Sequence, residues 1–136
     1  MDSKESKKIT KKRQKHTIRA TFIDIDEACN NLWITSKEIR VILGGVSMSK
    51  AESFRKELEE KLDKEKVEAE LCQNEKERTQ KLARSFYYKD TKPHRYPLTR
   101  VLEEAHVNLD YVRKQANQMR KSLKIGLEQE REYGIN

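Results

Sequence analysis

The chain is poor in the residues that make turns, with four glycines and two prolines in 136 residues. That scarcity argues against a turn-rich β architecture and for long helices. Long apolar runs are also missing, so no segment reads as a bilayer-crossing helix. The basic start of the chain lacks the apolar stretch of a signal peptide. Only two cysteines occur, Cys29 and Cys72, with neither a metal-ligand spacing nor the pattern of a disulfide framework. The expectation is an intracellular, reduced protein, cytoplasmic in a bacterium.

Catalytic and cofactor signatures are equally sparse. The three histidines, His16, His94 and His106, are scattered, and none sits beside a cysteine or carboxylate at the spacing of a metal site. Gly44-Gly45 is followed by no Lys-Ser/Thr at the distance a phosphate loop requires. Acids are abundant, but they alternate with lysines as they do on solvated helix faces. No enzyme activity, cofactor or metal is expected.

What the chain has in quantity is charge. Charged residues are 39% of the chain and apolar ones 35%, with a net charge of +7. Residues 1–19 carry +6, residues 20–83 carry −3, residues 84–124 carry +6 and the last twelve carry −2. Two basic blocks therefore flank an acidic middle. The first, residues 1–19, has almost no apolar content and contains Lys11, Lys12, Arg13 and Lys15. It reads as a disordered basic arm, because such a segment buries too little surface to order itself. The same cluster matches a nuclear-import signal, which would place a eukaryotic protein in the nucleus.

Helical periodicity organises the rest. Phe22, Ile25, Cys29 and Leu32 fit one face of a short helix, with Asp24 or Asp26 as its cap. Thr35 or Ser36 caps a second helix with Ile39, Ile42 and Leu43 inward, and Gly44-Gly45 stops it. Ser47 caps a third, in which Ala51, Phe54, Leu58 and Leu62 face the core. Past Leu62 the helix turns charged and is expected to break near Gln73-Asn74. Pro97 suits the first turn of another helix, ending at His106. Asn108 caps a last helix, with Leu109, Val112, Ala116, Met119 and Leu123 inward and Gly126 closing it.

The fold expected is all-α: two helix-turn-helix-like hairpins joined by a long charged helix, with the disordered arm in front. The boundaries expected are 1–19 for the arm, 20–66 for the first hairpin unit, 67–90 for the charged connector, 91–126 for the second unit and 127–136 for a frayed tail. The two units echo each other at a spacing of 61, which aligns Ser47 with Asn108, Met48 with Leu109, Ala51 with Val112 and Leu62 with Leu123. The same spacing aligns Gly44 with Ala105.

A basic helix-turn-helix protein points towards double-stranded DNA. The start of the second helix meets base edges, which nominates Ser47, Met48, Ser49, Lys50 and Ser53, with Arg55 and Lys56 towards phosphate. Phosphate contacts dominate affinity, and the second unit is the more basic, nominating Lys92, Arg95, Arg100, Asn108, Arg113, Lys114, Arg120 and Lys121. The arm adds Lys11, Lys12, Arg13 and Lys15. Tyr87, Tyr88 and Tyr96 read as packing between the two halves before they read as platforms for bases.

The run Thr35-Ser36-Lys37-Glu38-Ile39, Ile42-Leu43-Gly44 and Val46-Ser47-Met48-Ser49-Lys50-Ala51 resembles the small helix-turn-helix proteins of Gram-positive phages and integrative elements, including excisionase-like factors. The resemblance covers residues 34–58, and Gly45 stands as an insertion relative to that pattern. It implies sequence-specific or architectural DNA binding in transcription control or recombination. The implied partners are DNA, a second copy of the chain, and an integrase, relaxase or repressor, with no membrane. Two other readings remain open on the residues: a helical protein–protein interaction adaptor, and a single-stranded nucleic-acid binder.

Overall fold

Side-chain oxygens placed one residue ahead of each apolar stripe start most of the helices. A computed structural model of the chain describes residues 19–132, with side chains placed through residue 128. Helix α1, Phe22–Ala28, starts at Thr21, whose hydroxyl accepts from the Asp24 N–H at 3.2 Å while the Asp24 carboxylate accepts from the Thr21 N–H at 2.9 Å. Asp24 is thus the third-residue partner of the cap, and neither Asp24 nor Asp26 is the cap itself. Helix α2, Ser36–Ile42, follows Thr35, whose N–H and hydroxyl both donate to the Glu38 carboxylate. Helix α3, Met48–Glu70, begins at Ser47, which accepts from the Lys50 N–H at 3.3 Å.

The expected break after α3 is real. Helix α4, Glu75–Ser85, restarts the chain at Asn74, whose side chain accepts from the Glu77 N–H at 3.0 Å. Helix α5, Leu98–Glu104, has Pro97 as its cap residue and not in its first turn. Helix α6, Leu109–Glu132, starts at Asn108, which accepts from the Tyr111 N–H at 3.0 Å, and runs straight past Gly126. A single glycine costs a helix about 1 kcal/mol, too little to end one that is otherwise continuous.

Six helices among the described residues make the protein all-α, save for one ribbon that the periodicity does not announce. Strand β1, Trp33–Ile34, pairs antiparallel with strand β2, Tyr96–Pro97, in the register Trp33↔Pro97 and Ile34↔Tyr96. The Leu98 N–H donates to the Leu32 carbonyl at 2.8 Å, and Tyr88 and Arg95 exchange backbone bonds at 2.9 and 3.1 Å. With its backbone serving the ribbon, Leu32 leaves its side chain 77% exposed and does not join the core face of α1.

The ribbon divides the chain into two halves of like element order. Both halves run helix, strand, short helix, long helix: α1-β1-α2-α3 and then α4-β2-α5-α6. The first helix of each half packs on the long helix of the other, α1 on α6 and α4 on α3. The short helices repeat at a spacing of 62, whereas the long-helix caps repeat at 61. The extra residue lies in the turn. Gly44 at φ +97° corresponds to His106 at φ +55°, not to Ala105, and Gly45 at φ +82° is the insertion.

One core serves both halves. It joins Cys29, Ile34, Ile39, Ile42, Leu58 and Leu62 to Tyr87, Tyr96, Leu98, Val101 and Leu102. The boundary expected at residue 66 falls inside α3. Tyr87 and Tyr96 are buried and stack at 5.5 Å between the halves.

Candidate functional site

The residues nominated for DNA separate into three groups. Met48, Ser49, Lys50, Ser53 and Lys56 are exposed over the first turns of α3, next to the cap Ser47. Met48 also edges a groove of about 710 Å³ between α1 and α2, whose walls include Asp24, Glu27 and Glu38. Lys37 and Arg40 line the same groove, so its charge is mixed beside the N-terminal end of α3. In the second half, Lys92 and Arg95 are exposed in the loop before β2, and Lys114 and Lys121 are exposed on α6. Asn108 is committed to its cap. Lys11, Lys12, Arg13 and Lys15 lie outside the described residues.

Arg55, Arg100, Arg113 and Arg120 behave differently, because carboxylates of this chain already hold them. Arg55 bonds Glu52 at 2.9 Å and Glu59 at 2.8 Å, and donates to the Tyr96 hydroxyl at 3.2 Å. Arg100 is 3% exposed, and its two terminal nitrogens clasp Glu65 at 3.0 and 2.6 Å. It also donates to the Arg84 carbonyl at 3.0 Å. Arg100 is a core ion pair and is not available to a phosphate. Asp26, reaching from α1, takes Arg120 at 2.8 Å and Arg113 at 3.5 Å. A guanidinium bound to a carboxylate releases little counterion on meeting DNA, so the phosphate-facing charge is smaller than the sequence suggests.

Glu59 is a junction that the sequence does not single out. Its carboxylate takes the Tyr96 hydroxyl, the Arg55 guanidinium and the His94 Nδ1 at 2.7 Å. Burial pushes the Glu59 carboxyl up, but hydrogen bonds from Tyr96 and His94 and the Arg55 charge hold it below its ordinary value. Beside it, Asp63 accepts from the Tyr87 hydroxyl at 3.0 Å and pairs with Lys89 at 2.9 Å. Burial and the bond to Asp63 push the Tyr87 hydroxyl well up. Buried hydroxyls tied to carboxylates fasten α3 to the second half. They leave Tyr87 and Tyr96 unable to stack on bases.

Order of elements also invites a test for a cation. Helix, loop and helix joined through a short strand is the layout of an EF-hand, whose twelve-residue loop needs oxygens at alternating positions, Gly at the sixth and Glu at the twelfth. The window 27–38 ends on Glu38 but has Leu32 sixth and buried Cys29 third. Glu38 is also occupied by Thr35. The window 89–100, aligned through the ribbon, starts on Lys89 and ends on Arg100. Neither presents a calcium ligand set, and among the described residues no group of three or more acidic, His or Cys side chains could hold a metal.

Two surfaces stand out once the paired groups are set aside. Trp33, Phe86 and Tyr88 form an edge-to-face triangle with centroids 4.6 to 5.9 Å apart at the ribbon. The long helices, in turn, outrun their cover. Val67 on α3 and Leu71, the residue that caps its C-terminus, are 58% and 78% exposed, and Leu123 and Leu127 on α6 are 61% and 59% exposed. Leu123, expected in the core, therefore lies in solvent. No helix among the described residues is long and apolar enough to cross a membrane.

No family model, curated protein or solved structure matches the chain.

Proposed function

We propose that this protein is a helical protein-interaction module with no catalytic activity of its own. One observation carries the reading. Each long helix ends in an exposed apolar pair four residues apart, set in a charged frame, and such i,i+4 pairs are the anchors by which helices bind helices. Around Val67 and Leu71 the frame is acidic, with Glu60, Glu68, Glu70 and Glu75 outside every ion pair among the described residues. Around Leu123 and Leu127 it is mixed, with Lys121 and Lys124 before the pair closes and Glu128 directly after it. Anchors inside charged rims give both affinity and choice of partner.

The test uses a fluorescent synthetic peptide, an amphipathic helix with leucines four apart between glutamates. It is expected to bind the full chain by anisotropy and to lose binding when Leu123 and Leu127 are both changed to Asp. No binding at roughly 100 μM protein, a free energy weaker than about 5.5 kcal/mol, would sink the reading.

Double-stranded DNA is the second reading, favoured by the exposed cluster Met48, Ser49, Lys50, Ser53 and Lys56 at the start of α3. Lys114, Lys121 and Lys124 on α6 would supply phosphate contacts, in a regulator or recombination accessory of a mobile element. Duplex titrations at increasing salt decide it. Affinity that is absent at low salt, or that ignores salt, rules this reading out.

A further inference from the structure

The ribbon and the extended segment before it make a small sheet with two unlike faces. Trp33 pairs with Pro97, Ile34 with Tyr96, and Tyr88 with Arg95. Residues directly opposite in antiparallel strands project to the same face. Ile34, Tyr87 and Tyr96 are buried on the inner one. Alternation along each strand therefore sends Trp33, Phe86, Tyr88 and Arg95 outward, where Phe86 is 49% and Tyr88 40% exposed. The solvent face of an antiparallel sheet is ordinarily polar. Here it is built of three aromatic rings in mutual edge-to-face contact, with Leu32 exposed beside them.

Charge around this face narrows the occupant. Lys66, Lys89 and Arg95 border it, and Lys92 lies in the loop that joins Tyr88 to Arg95, against the carboxylates of Asp63, Asp90 and Glu38. Two of those carboxylates are already occupied, Asp63 by Tyr87 and Lys89, and Glu38 by Thr35. Lys66, Lys92 and Arg95 are left against Asp90, all four outside every ion pair among the described residues. Arg95 and Trp33 also share a recess of about 360 Å³ whose wall includes Asn31. Exposed rings beside unpaired cations fit a ligand with planar apolar faces and a run of negative charge. A base stacked inside a duplex presents only its edges, whereas a single strand offers free faces that stack on aromatic side chains.

We infer that the outer face of the ribbon binds single-stranded nucleic acid, with bases on Phe86, Tyr88 and Trp33 and phosphates on Arg95 and Lys92. The site goes beyond the interaction reading: it uses neither apolar pair of the long helices, and its failure leaves that reading standing.

Trp33 is the single tryptophan of the chain, so its emission reports on this face alone. An oligothymidylate of about twelve nucleotides, titrated against the full chain, is expected to bind by anisotropy and to quench Trp33. The same strand in a duplex with oligoadenylate, and inorganic polyphosphate, engage cations without offering a free base face and are expected to leave the emission unchanged. Phe86→Thr with Tyr88→Thr should weaken single-strand binding about tenfold, and Arg95→Gln should lower its salt slope by about 0.7. These side chains are exposed, and circular dichroism confirms that the variants fold. Single-strand binding without a change in Trp33 emission, equal quenching by the duplex, or variants that leave affinity and salt slope untouched overturn the inference. So does quenching by a proline-rich peptide and not by oligothymidylate, which would make this a peptide-binding face.

Discussion

Replacing Arg100 with Met tests whether the sequence's most basic half is basic on its surface. Arg100 lies 3% exposed on α5, with two charge-assisted bonds to Glu65 and a third bond to the Arg84 carbonyl. The bonds to Glu65 hold the guanidinium above, and the Glu65 carboxyl below, their ordinary pKa values. Breaking a buried pair by removing one partner costs about 3–5 kcal/mol. Met fills much of the Arg stem, and Glu65 keeps a side-chain exposure of 31%, through which water can reach it. The expected loss is thus about 2–4 kcal/mol, against a total stability of about 5–15 kcal/mol for a typical domain. In urea, with a slope of about 2 kcal/mol per molar, the midpoint falls by about 1–2 M. A cycle with Glu65→Gln should give a coupling of about 1–3 kcal/mol. A loss under about 0.5 kcal/mol would refute the pairing argument. So would a variant of unchanged stability with weakened DNA affinity, which would return Arg100 to the phosphate-binding set.

Asp26→Asn releases Arg113 and Arg120, which are about half exposed; stability should fall by less than about 1 kcal/mol. Under the DNA reading the salt slope should steepen by up to about 0.9 for each new phosphate contact, and an unchanged slope means neither arginine reaches DNA. Gly44→Ala, at φ +97° with open space around the added Cβ, should cost about 1–2 kcal/mol from backbone strain alone. Its counterpart His106→Gly should be neutral or stabilising by up to about 1 kcal/mol; equal effects at both sites would contradict their shared left-handed role. Glu59 and Glu65 have lowered folded-state values, so the stability they contribute is present above the free carboxylate value of 4.5 and is lost as pH falls through the folded values. Urea midpoints should therefore drop between pH 5 and pH 3, and Glu65→Gln should flatten part of that drop.

The helices were legible because their signals are local. Thr35, Ser47 and Asn108 each sit just ahead of an apolar stripe, and three residues of spacing suffice to recognise a cap. Arg55 could also have been set aside from sequence, since Glu52 and Glu59 lie three and four residues from it on the same helix. Arg100 and Glu65 are 35 apart and Arg120 and Asp26 are 94 apart, so only the fold brings them together. The ribbon leaves no sequence signature for a related reason: two-residue strands are too short to show a period of two. Leu123 lies outside the core unannounced by the sequence, because periodicity tells which side of a helix is apolar, and not how far along the helix another element covers it. Whether the exposed turns of α3 meet a base or a protein is a property of the partner, which a single chain does not encode locally.

The crossing of the two halves explains why so much of the positive charge is spent internally. Each first helix crosses to the long helix of the other half, so the acidic first half and the basic second half are forced into contact. Asp26 on α1 meets α6, and Glu59, Asp63 and Glu65 on α3 meet the loop and α5 of the second half. Opposite charge between the halves thus stabilises the exchange of helices.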